Sequence, residues 1–150
     1  MINKIATQTF PCWLTMPEVE HPLGNLCFGQ EQKPFPFPIA RVYYVYDIPA
    51  HANRGGHAHK TNQETVFCVQ GACTLWLYSP DGKERRYRLE HPAKGIYVPE
   101  LWWVELGEYA EGSMILVVAS LPFQESDYIR QPKEFFLAEP YPDPVYRPRT

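Results

Sequence analysis

The chain has 150 residues and a formal net charge of −3, with 45% hydrophobic and 15% aromatic residues. That length suits one domain with a full core, and the balanced charge excludes a protein that grips nucleic acid through its backbone alone. No apolar run reaches the roughly 18 residues of a bilayer-spanning helix, so no membrane partner is expected.

The N-terminus lacks the basic, apolar and small-residue order of a secretory signal. Cys12, Cys27, Cys68 and Cys73 form no C-x-x-C pair. Together these features predict free thiols and a cytoplasmic location.

Residues 1–40 are mixed and end in a Pro-rich stretch at 33–38. Proline fixes φ and removes a donor, so this stretch reads as extended, along a sheet edge or crossing between protomers. From Arg41 the pattern becomes strand after strand. Expected strands are 41–48 (RVYYVYDI), 56–59, 65–70, 73–78, 84–89, 95–98, 102–106 and 113–120 (SMILVVAS). A tight turn is predicted at Ser79-Pro80-Asp81-Gly82. Only 126–130 and 132–136 suit a short helix. The prediction is an all-β domain, a sandwich or small barrel, over 1–138. A Pro-rich tail follows at 139–150, extended or disordered.

Three of the five histidines, His51, His57 and His59, cluster in HANRGGHAHK. In a strand, positions i and i+2 share a face, so His57 and His59 project together. Two same-face imidazoles can bind a metal or act as a proton-transfer pair; a satisfied pair on a sheet surface is the bland alternative. Gly55-Gly56 permits close approach of backbone or ligand, and Arg54 carries a fork suited to phosphate.

The spacing of His57, His59, Glu64 and Gly71 resembles the first cupin motif, and GIYVP from Gly95 resembles the start of the second. The second motif's histidine is absent. The set RVYYVYDIP, RGGHAHK, GIYVPELWW, LVVAS and ESDYIRQPKEFF is similar to the nucleotide-sugar 3,4-ketoisomerases, the WxcM-like family, over roughly 39–137.

That resemblance implies a cupin-type double-stranded β-helix, or jelly roll, with strands exchanged in a homodimer. It also implies a thymidine-diphosphate-linked 4-keto-6-deoxy sugar as substrate and no cofactor, in deoxysugar biosynthesis for surface glycans or antibiotics. His57 would be the base at C3, and His59 would relay or donate a proton at C4. Tyr43 matches the family's active-site tyrosine. Arg54 and Arg41 would bind the diphosphate, with Lys60, Trp103 and Glu105 as further substrate contacts.

Three departures bear on this reading. The family's N-terminal Asp-x-Arg-Gly is replaced by His21-Pro22-Leu23-Gly24-Asn25-Leu26, Val104 stands where His or Arg is usual, and Glu64 stands where Gln is common. No metal is expected; His57, His59 and Glu64 are the set that could hold one. The alternatives left open are an epimerase of the same fold, a metal-dependent cupin enzyme, and a sugar-nucleotide binding module without turnover.

Overall fold

The structure is a computed structural model, and it describes residues 9–145. Its strands, in chain order, are β1 (Cys12–Thr15), β2 (Glu18–Val19), β3 (Leu26–Cys27), β4 (Gln30–Glu31), β5 (Pro34–Phe35), β6 (Arg41–Val45) and β7 (Arg54–His59). There follow β8 (Glu64–Gln70), β9 (Cys73–Tyr78), β10 (Glu84–Leu89), β11 (Lys94–Val98), β12 (Trp103–Gly107), β13 (Met114–Ala119) and β14 (Tyr128–Ile129). A 3-10 turn at Glu125–Asp127 precedes β14, and one helix, α1, spans Pro132–Phe135.

Two five-stranded sheets face each other, in the orders β1-β11-β8-β13-β6 and β10-β9-β12-β7-β14. Every pairing within them is antiparallel. This is the expected all-β jelly roll. Between the sheets lie Val66, Leu75, Leu77, Ile96, Val104, Ile115 and Val117, all buried.

Both outer faces are also covered in part. Met16, Phe35 and Phe37 from the N-terminal segment pack on Phe67, Tyr97 and Val118 of the first sheet. Phe135 and Phe136 pack on Trp76, Tyr78 and Trp103 of the second. Strand β9 is consequently buried at every position, which explains its continuous apolar run rather than an alternation. Trp76 and Tyr78 belong to this outer layer, while Tyr44 and Tyr46 are exposed.

The structure corrects the sequence expectation in β1 and in residues 126–130. β1, inside the segment read as mixed, pairs with β11 at the sheet edge. Residues 126–130 are not a helix: Tyr128 and Ile129 pair with His59 and Ala58, because strand pairing with β7 satisfies their backbone better than an isolated turn of helix does. The described part of the tail is not loose, since Tyr78 donates to the Asp143 carbonyl at 2.5 Å and Tyr141 stacks 5.7 Å from Phe136. The remaining ends, 1–8 and 146–150, lie outside the described residues. Among the described residues no helix is long and apolar enough to cross a membrane, and the four cysteines are free.

Candidate active site

Strand β7 builds the site because its glycines let it run close to β12. Gly55 and Gly56 have φ of +86° and +73°, a region that favours glycine. A Cβ on Gly55 would stand 2.5 Å from the Val104 carbonyl oxygen. The register slips between Val104 and Glu105, leaving Val104 opposite His57; such a bulge re-aims side chains next to active sites.

His57 and His59 emerge on one face with ring centroids 5.0 Å apart. His57 lines two adjoining cavities, which also share Tyr43, Arg54 and Gly55. The inner one runs between the sheets and includes Glu64, Tyr109 and apolar side chains such as Val66 and Val104. The outer one is the mouth, lined further by Arg41, Phe123, Tyr128 and Arg130.

Below the cavities sits a hydrogen-bonded polar group. His59 Nδ1 lies 3.1 Å from Asp127 Oδ2, and its Nε2 lies 3.2 Å from Glu64 Oε1. Glu64 Oε1 accepts from the Tyr43 hydroxyl at 3.2 Å and from Asn62 Nδ2 at 3.2 Å, with Arg41 at 3.8 Å. Asp127 Oδ1 accepts from the Thr61 amide and hydroxyl at 2.9 and 2.6 Å. Tyr128 covers His59 at 4.4 Å between centroids, and the Arg130 guanidinium stacks on Tyr128 at 4.2 Å.

These surroundings set the protonation states. Burial pushes the His57 pKa down to about 4; Glu64 opposes this and His59 adds to it. His57 is therefore a neutral base at ordinary pH. Burial would raise the Glu64 carboxyl, but its contacts with His59 and Tyr43 outweigh that and hold it below its usual range. Asp127 is likewise held low: burial opposes, and the Thr61 and Asn62 hydrogen bonds prevail. Burial, reinforced by Glu64, pushes the Tyr43 hydroxyl far up, so it remains a donor.

The structure thus brings together His57, His59, Tyr43, Arg54 and Arg41. Lys60, Trp103 and Glu105 line neither cavity. Lys60 is exposed and donates to the Ser126 carbonyl at 2.9 Å. Val104 faces inward, so strand alternation sends Trp103 and Glu105 to the outer face. There Trp103 packs on Phe135 and Phe136 and donates to Glu105 Oε1 at 2.8 Å.

The atoms of His57, His59 and Glu64 that could coordinate a cation lie within 4.8 Å of one another. Glu64 Oε1 and His59 Nδ1 already take part in the hydrogen bonds just described. Residues 21–26, where the family motif is missing, lie around the β2–β3 turn, away from both cavities.

Asp127, Tyr128, Arg130, Phe123 and Tyr109 were not singled out as site residues by sequence reasoning. The signal for Asp127, Tyr128 and Arg130 was the SDYIR string itself, which reads as a short helix until its pairing with β7 is seen. Phe123 and Tyr109 carry no comparable local signal.

Comparison with known proteins agrees with this architecture. The family described as "FdtA: WxcM-like, C-terminal" matches residues 11–139. A TDP-4-oxo-6-deoxy-alpha-D-glucose-3,4-oxoisomerase of Aneurinibacillus thermoaerophilus is 37% identical over 113 residues, covering 75% of this chain and 80% of that protein. The crystal structure of QdtA, a sugar 3,4-ketoisomerase from Thermoanaerobacterium thermosaccharolyticum in complex with TDP, superposes with a TM-score of 0.80 at 29% identity. That match covers 90% of this chain and 93% of QdtA. A 3,4-ketoisomerase from Helicobacter canadensis also gives a TM-score of 0.80, at 30% identity over 85% of this chain and 96% of its own. The chain belongs to the FdtA, WxcM-like family.

Proposed function

We propose that this protein is a 3,4-ketoisomerase that moves the keto group of a thymidine-diphosphate-linked 4-keto-6-deoxyhexose from C4 to C3. The observation that carries this reading is a neutral imidazole, His57, on the wall of a cavity that Tyr43 and Arg54 also line. A keto group at C4 acidifies the C3 hydrogen, and a neutral imidazole suffices to take it. Charge then develops on the C4 oxygen, where a hydroxyl held protonated, as Tyr43 is, stabilises it. Return of a proton to C4 completes the isomerisation without a redox cofactor.

Arg54 and Arg41 at the mouth suit the diphosphate, and Arg130 adds a third guanidinium there. Phe123 beside them offers a face for the base. A homodimer in the cytoplasm fits the free thiols and the apolar outer face of the first sheet. On that face Val42 and Tyr44 are exposed, paired across strands with Val118 and Leu116. Exchange of edge strand β1 between copies would keep its register with β11, since either copy's strand can make the same pairing.

The test is a proton NMR time course with thymidine-diphosphate 4-keto-6-deoxyglucose in deuterated buffer, beside a His57→Asn variant. A 3-keto product formed by wild type and slowed by roughly 10²–10⁴-fold in the variant supports the reading. Deuterium uptake without a 3-keto product indicates an epimerase instead.

A further inference from the structure

One polar group on the wall of the inner cavity has no part in the isomerisation. Tyr43 donates to Glu64 at 3.2 Å, His57 is the base, and Arg54 reaches the mouth, where the diphosphate belongs. Val45, Val66, Leu106, Ile115 and Val117 make the wall otherwise apolar. Tyr109 also lines it, yet its hydroxyl is buried with no hydrogen-bond partner among the described residues. A buried hydroxyl left unpaired is a standing cost to the fold, so its presence calls for a partner that arrives from outside.

Strand register places Tyr109 relative to the chemistry. At one level Tyr43 pairs with Val117 in the first sheet, and His57 with Val104 in the second. At the next level Val45 pairs with Ile115, and Arg54 with Leu106. Tyr109 enters from the connection between β12 and β13, just past that second level. Tyr43 and Val45 are two residues of strand apart, about 7 Å, a span within reach of a sugar ring and a phenol together. Burial, reinforced by the nearby Cys73 thiol, pushes the Tyr109 hydroxyl far up. It therefore stays protonated, able to donate and to accept.

The substrate offers few atoms to meet it. In a 4-keto-6-deoxyhexose the C4 carbonyl and the C3 hydroxyl take part in the reaction, C1 carries the diphosphate, and C6 is a methyl. Of what remains, the C2 hydroxyl is the group that both donates and accepts, and it adjoins C3, where His57 works. We propose that Tyr109 is a specificity-determining residue whose hydroxyl pairs with the C2 hydroxyl of the sugar, so that the cavity selects sugars with oxygen at C2 over their 2-deoxy counterparts. The proposal rests on the ketoisomerase reading. A methylene at C2 leaves the Tyr109 hydroxyl unpaired, and a site built to hydrogen-bond a hydroxyl rejects the analogue lacking it. C2 itself does not react, so the pairing is the same before and after proton transfer. It strengthens binding and leaves the chemical step alone.

The test compares wild type with Tyr109→Phe, each given thymidine-diphosphate 4-keto-6-deoxyglucose and its 2-deoxy counterpart. Proton NMR follows the product, and binding is read as KM, or as Ki for a sugar that binds without conversion. Intrinsic differences between the two sugars cancel when the variant is set against wild type. Wild type should favour the C2 hydroxyl by at least about threefold. Tyr109→Phe keeps the ring in the wall. It should raise KM for the C2-hydroxyl sugar by about 3–10-fold with kcat little changed, and bind the 2-deoxy sugar as well as before or better. Equal binding of the two sugars by wild type overturns the proposal without need of the variant. An unchanged preference in Tyr109→Phe overturns it too, as does equal weakening toward both sugars, which means that the hydroxyl only supports the wall. Urea unfolding without ligand gives an independent reading. Loss of an unpaired hydroxyl should leave the protein as stable as before or more so, and a clear destabilisation overturns the assignment by revealing a protein partner. If wild type converts neither sugar, the ketoisomerase reading fails and this inference with it. If wild type converts them and the preference stays put in the variant, the role of Tyr109 alone fails.

Discussion

The Tyr43 hydroxyl reaches Glu64 Oε1 at 3.2 Å although β13 lies between their strands in the sheet. Both side chains rise from the same inner face and meet above β13, where Val117 and Ala119 leave room. Tyr43→Phe removes a neutral donor whose acceptor keeps its bond from Asn62. Chemical denaturation should therefore show a loss of only about 0.5–1.5 kcal/mol. Turnover should fall by roughly 10²-fold, the cost of losing one donor to a developing oxyanion.

Activity should persist into acid further than an ordinary histidine allows. The His57 pKa lies near 4 instead of 6.5, so the base limb of kcat/KM should be flat at pH 6.5 and fall only as pH approaches that value.

Stability should follow the same groups. Below 6.5 the unfolded chain protonates His57, whereas the folded chain resists until about 4. The unfolded state thus binds more protons in that window, and stability falls as pH drops through it. Glu64 and Asp127, both held low, add loss in the same direction below the ordinary carboxylate range. Thermal melts between pH 7 and 4 should show Tm falling with pH, and a His57→Asn variant should show a shallower slope between pH 6.5 and 4.

Gly55→Ala should damage fold and site together. The new methyl would meet the Val104 carbonyl oxygen at 2.5 Å with φ at +86°. The backbone term alone costs about 1–2 kcal/mol. Urea unfolding measures the loss, and turnover should drop as β7 moves His57 away from the cavity wall.

Arg54 and Trp103 should separate cleanly in kinetics. Arg54→Ala removes a guanidinium at the mouth and should raise KM by roughly 10–100-fold, as expected for a charged hydrogen bond worth about 1.5–3 kcal/mol. Trp103→Ala opens the outer aromatic layer and should cost about 3–5 kcal/mol of stability. Trp103→Phe should leave KM near wild type, since the indole faces away from both cavities.

Much of the site was legible along the chain because β structure has a period of two. HAHK had to place His57 and His59 on one face, and the glycines before it had to mark a close approach. The same periodicity, counted from Val104, assigns Trp103 and Glu105 to the outer face. The sequence alone could not say which of the two faces was the cavity, because both faces of the second sheet are covered. Asp127 was hidden for a different reason: its partner His59 is 68 positions away, and SDYIR has no period long enough to announce a strand.

By itself, then, the sequence determined the all-β class, the alternation that pairs the histidines, the turn residues and the family. Those properties are local or are carried by contiguous strings. Tertiary structure decided which histidine meets the cavity, that Glu64 and Asp127 flank the other one, and that Lys60, Trp103 and Glu105 stand apart. Each of these depends on strand register and on which face another segment covers. Such non-local pairings are set by burial over the whole domain, so no single stretch of chain encodes them.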